Sequence, residues 1–142
     1  MRTLESLIRL YRWRLDEHRR RLAELEGFAE RLRQDRRHLD AELTREQMAA
    51  ARSFEGQLAY PGYLRRVRER QTTLERSLTE TEAQIVTARE TLAEAFQELK
   101  RHEIAQASRD FHQRQQLARR ERIELDAVAI ENHRRRTGTS GN

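Results

Sequence analysis

Two stripes of apolar residues, each stepping alternately by three and four positions, constrain this chain more than any other feature. The first runs Ile8, Tyr11, Leu15, His18, Leu22, Leu25, Ala29, Leu32, Arg36, Leu39, Leu43, Glu46, Ala50 and Ser53, and ten of these fourteen are apolar or tyrosine. The second runs Leu64, Val67, Gln71, Leu74, Leu78, Thr81, Ile85, Ala88, Leu92, Ala95 and Leu99, nine of eleven apolar, and fades at His102, Gln106 and Arg109. A repeat of 3.5 residues keeps one narrow stripe facing a partner helix and imposes a left-handed supercoil. Neither stripe can be buried alone, so each needs the other or a second chain.

The helix breakers cluster between the stripes. Pro61 is the one proline, and Gly56 and Gly62 flank it. Proline lacks an amide proton and disfavours helical geometry at the residue before it, yet suits the first turn of a new helix. This predicts an all-α fold: a long antiparallel two-helix coiled-coil hairpin with a C-terminal helical overhang. Helix one covers about 3–58, the apex about 59–62 and helix two about 63–134, together one domain over 1–136, with a disordered tail at 137–142. An apex near residue 61 makes facing positions add to about 121, pairing Leu43 with Leu78 and Ala29 with Leu92. On that register Leu4 faces Leu117, and residues beyond about 120 extend past helix one.

Composition agrees with a stripe rather than a globular core: 37% of residues are charged, 36% hydrophobic and 6% aromatic. The net charge of +5 is interspersed, at +2 over residues 1–59, 0 over 60–100 and +3 beyond. Alternating signs are more typical of a solvated helix face than of a phosphate-binding surface. A basic nucleic-acid or membrane-surface binder is the alternative. The chain has no cysteine, which removes disulfides and thiolate metal sites and fits a reducing compartment. No apolar run reaches the roughly 20 residues of a membrane span, and the N-terminus lacks a signal-peptide core, so a cytoplasmic location is expected.

No catalytic constellation, phosphate loop or glycine-rich fingerprint is present, and neither an enzyme nor a cofactor is expected. His18 and His102 fall on facing positions, but two ligands do not close a zinc site. A polar seam layer that fixes register is the preferred reading. Arg36 and Glu46 are read the same way. The basic clusters at Arg19–Arg21, Arg65–Arg70 and Arg134–Arg136 are interleaved with acids, and near the apex with Tyr60 and Tyr63. That pairing favours a protein partner, since Arg and Tyr are common interface anchors, or plain solvation of the helix face. At the open end Leu10 and Trp13 lie off the seam, and Ile123, Leu125, Ala127, Val128, Ala129 and Ile130 are apolar on more than one face. Such groups mark an interaction site, a fold-back of the tail over Trp13, or a homodimer contact.

Three stretches carry a family likeness: "LESLIRLYRWRLDEHRRRLAELE", "AYPGYLRRVRERQTTLERSL", and "LAEAFQELKRHEIAQ" followed by "RRERIELDAVAIENHRRR" with its "LD-x-x-A". The chain resembles FliJ, the small coiled-coil component of the bacterial flagellar type III export apparatus. The resemblance implies a two-helix stalk whose open end enters the hexameric export ATPase. It also implies contacts with the cytoplasmic domain of the export gate and with export chaperones, at the inner-membrane apparatus that serves motility. The ATPase would then be met by Leu10, Trp13, Ile123, Leu125, Val128 and Ile130. The gate surface carries over to Leu39, Tyr63, Val67 and Leu74, while Glu42 and Glu46 stand where better-known members have tyrosine. The equivalent stalk of a virulence secretion system would share this architecture.

Overall fold

A computed structural model describes residues 3–139, with side chains through 138. It contains two helices, α1 (Leu4–Ala50) and α2 (Phe54–Thr139), packed against each other, with no strand among the described residues. The expected two-helix hairpin is what forms. Contacts group into two units: Tyr11–Gln97, and the described part of Met1–Leu10 with Glu98–Asn142.

The turn, however, is not at the proline. α1 ends at Ala50, where the amide of Ala51 donates to the Gln47 carbonyl (3.3 Å) and that of Arg52 to the Ala49 carbonyl (3.2 Å). Ser53 then caps α2: its Oγ accepts from the amide of Gly56 at 2.9 Å, and its carbonyl accepts from the amide of Gln57 at 3.1 Å. A serine at this position satisfies an amide that would otherwise be orphaned at the helix start. Thr3 does the same for α1, its Oγ1 accepting from the amide of Ser6 at 3.1 Å.

Gly56 is needed for space. A Cβ there would lie 3.0 Å from the Ala50 Cα and 3.1 Å from its carbonyl oxygen, so the two helices could not approach as closely.

The apex therefore moves from about 59–62 to residues 51–53, and Pro61 lies inside α2. Its ring costs the helix the hydrogen bond to the Gln57 carbonyl. Pro61 and Gln57 are both exposed, so water can take that carbonyl, and the helix continues. The tail boundary moves as well. Residues 137–139 are helical, with Thr137 Oγ1 donating to the carbonyls of His133 and Arg134; residues 140–142 lie outside the described ones.

Within Tyr11–Gln97 the core is a single seam. Leu25, Ala29, Leu32, Leu78 and Ile85 form its buried cluster, with Leu22, Leu74 and Ala88 packed beside it. Ala29 is 0% exposed, whereas the larger buried apolar residues keep 5–8%. Two helices alone cannot enclose a large side chain, so the smallest residue marks the closest approach. The register differs from the expected one because the turn comes earlier. Arg33 pairs with Glu82 (3.4 Å), Arg89 with Glu26 (3.2 Å), and Gln71 Nε2 donates to Asp40 Oδ1 (2.9 Å). These residue numbers add to 115, 115 and 111 rather than 121, so Ala29 shares its cluster with Ile85 instead of facing Leu92.

In the other unit Ile8 and Leu99 are buried, and every residue from 107 to 138 is exposed. Leu117, expected opposite Leu4, is 56% exposed. The overhang thus begins at about residue 107 instead of about 120, because a shorter α1 runs out sooner.

Candidate interaction surfaces

The residues carried over to the export gate are mostly committed to the seam. Leu39 and Val67 are buried, while Tyr63 and Leu74 are half-buried. What the hairpin offers a partner here is the rim of a shallow groove: Asp35, His38, Glu42, Arg66 and Arg70 beside Leu39, Tyr63 and Val67. The rim carries both signs of charge.

Tyr63 is the chemically unusual group of this region. Its hydroxyl is shielded from solvent and has no hydrogen-bond partner among the described residues. Its ring lies 6.3 Å from that of Tyr60. Desolvation, followed by the nearby carboxylates Glu42 and Glu46, raises its pKa above the ordinary 10.0. A raised pKa means that the folded state holds the proton more tightly. The stabilisation is therefore complete below pH 10.0 and is lost as pH rises through the folded-state value. Tyr63→Phe removes an unsatisfied buried hydroxyl. The variant should be at least as stable as the parent at pH 7 and should lose one component of the alkaline fall in stability. Thermal melts followed by circular dichroism between pH 8 and about 11 make the comparison, and superimposable alkaline profiles would contradict it.

Near the turn, Met48, Phe54 and Leu58 are 63%, 75% and 68% exposed. Sequence reasoning passed over them because it placed the apex further along. Farther down α1, the Arg19–Arg21 cluster is compensated locally: Arg19 pairs with Asp16, Arg20 with Glu17 and Arg21 with Glu24. Such surface pairs contribute little to stability, and they leave no uncompensated basic stripe there. His18 lies in a groove with Arg21, Leu25, Ala83, Thr87 and Thr91. His102 Nε2 sits 3.8 Å from Glu98 Oε2. Among the described residues no group of three or more His, Cys, Asp or Glu side chains is placed to hold a metal ion.

Of the residues assigned to the ATPase, Leu10 is half-buried on α1, and Trp13, one turn later, is 60% exposed. On the overhang Ile123, Leu125, Val128 and Ile130 are all exposed, between 57% and 69%. Ile104, Phe111 and Leu117 join them on α2, at 67%, 52% and 56%. The signal for these three was present in the sequence. The positions that continue the seam, Arg109, Gln113, Gln116 and Arg120, are all polar, which rules out burial against α1 along that stretch.

No curated protein and no solved structure matches the chain. A family described as "Flagellar FliJ protein" matches residues 1–138. With nearly the whole chain covered and two long helices packed together, the chain belongs to the FliJ family of flagellar export-related coiled-coil proteins.

Proposed function

We propose that this chain is a non-enzymatic coiled-coil adaptor of the flagellar type III protein export apparatus. It engages the hexameric export ATPase, the cytoplasmic domain of the export gate and the export chaperones. Family membership over residues 1–138 carries the reading. The supporting physical feature is a helix that continues for some thirty residues with its apolar side chains exposed. A hairpin with a one-layer seam has no interior in which to build a catalytic pocket.

Leu10, Trp13, Ile123, Leu125, Val128 and Ile130 are the ATPase-facing residues, and the groove rim around Tyr63 is the gate-facing surface. The site of action is the cytoplasmic side of the inner membrane, through peripheral association. No described helix is long and apolar enough to cross a membrane.

The test is retention of the export ATPase on the immobilised chain. Trp13→Ala and Ile123→Asp should each weaken binding by about tenfold or more, as loss of an interface anchor does. Helical content should stay unchanged and swarming should be reduced. Full retention by both variants would remove these residues from the ATPase contact.

A further inference from the structure

The α2 overhang carries two apolar faces. Ile104, Phe111, Ala118, Leu125 and Asn132 recur every seven residues, all exposed. Ala107, Arg114, Glu121 and Val128 stand three residues after the first four of them. At roughly 100° per residue these two sets form one continuous stripe, and Ile123, Ala127 and Ile130 fall on the opposite side of the helix. The stripe spans the four heptads from 104 to 132, enough to sustain a coiled coil if something covers it.

We propose that the occupant is the same stripe of a second copy, lying antiparallel about a two-fold axis at Ala118. The stripe is self-complementary. Reversal about residue 118 sets Phe111 on the second copy's Leu125 and Ala118 on its own equivalent. It also brings Ala107 to the neighbourhood of Val128. The two charged members of the stripe then match: Arg114 faces the second copy's Glu121, twice by symmetry. Both are exposed, and neither forms an ion pair among the described residues. Arg114 makes one long bond, Nε to the Asp110 carbonyl at 3.4 Å, and Glu121 has no partner among the described residues. An isologous contact of this kind closes on itself and stops at two chains. Asp110 and the second copy's Glu124 repel at the flank, which keeps the association weak and concentration-dependent. The pairing shares Leu125 and Val128 with the proposed ATPase contact, whereas Ile123 and Ile130 lie on the opposite face and stay free of it.

Sedimentation equilibrium of the full chain from about 1 to 500 µM tests the pairing. The apparent mass should rise from 17.0 kDa toward twice that value. Arg114→Glu should move the midpoint to at least about tenfold higher concentration, because it places two acids in contact. Adding Glu121→Arg in the same chain should restore it, and Ile123→Asp should leave it unchanged. The proposal is overturned by a wild-type chain that stays monomeric throughout. It is also overturned by a dimer indifferent to Arg114→Glu, by a double reversal that fails to rescue, or by a dimer that Ile123→Asp disrupts.

Discussion

Ile85→Asp should destabilise the hairpin by at least about 3 kcal/mol, and Val86→Asp, one residue away, by no more than about 0.5 kcal/mol. Ile85 is 7% exposed within the cluster of Leu25, Ala29, Leu32 and Leu78, whereas Val86 is 55% exposed. A carboxylate at position 85 would lose most of its water against the apolar side chains of that cluster. At position 86 it would stay hydrated. The difference should be large on the scale of a whole protein's stability, which is about 5–15 kcal/mol. For a chain of this size it corresponds to a fall in Tm of about 10 °C. Thermal melts of the two variants read it directly. Equal losses would mean that α2 is rotated relative to the arrangement described here.

The same pair shows what was legible in the sequence. The stripes could be read because a buried seam must repeat at the helical period, and Leu25, Ala29, Leu32, Leu78 and Ile85 all lay on the expected positions. Fold class followed from that period alone. The pairing between the stripes did not follow, because register depends on where the turn falls, and turn position was inferred from the strongest helix breaker. A breaker's effect depends on its surroundings. Pro61 sits on an exposed face where the freed Gln57 carbonyl can reach water, so the lost hydrogen bond is replaced. The real signal was weaker: Ser53, a good cap, ahead of Gly56, which tolerates the close approach of Ala50.

The interaction residues were legible only in part. Exposure of Ile123 to Ile130 followed from apolar groups on more than one face. Burial of Leu39 and Val67 could also have been read, because both stand on the stripes themselves; a residue on the seam is spent on the partner helix. The surfaces near the turn were missed for the same reason as the register. Once α1 is taken to run to residue 58, Met48, Phe54 and Leu58 look like parts of one helix rather than a tip.

Pro61→Ala should stabilise the protein, by about 2–3 kcal/mol, since proline inside a helix costs about 3 kcal/mol through its missing amide and the clash of its ring. The sign is what matters. If Pro61 opened a helix at an apex, alanine would remove a favourable preset φ and gain nothing, and stability would fall slightly. With α2 running unbroken through residue 61, alanine restores the bond to the Gln57 carbonyl. Gly62→Ala should act in the same direction by about 1 kcal/mol, because a Cβ there meets nothing within 4 Å. Gly56→Ala should act in the opposite direction. The gain in helix propensity is about 1 kcal/mol, but contact with the Ala50 backbone at 3.0 Å forces the turn to open, at a cost of about 1–3 kcal/mol. Urea titrations of the three variants would separate the two placements of the turn. A stabilised Pro61→Ala beside a weakened Gly56→Ala is the pattern required by a turn at residues 51–53, and the reverse pattern would return the bend to the proline.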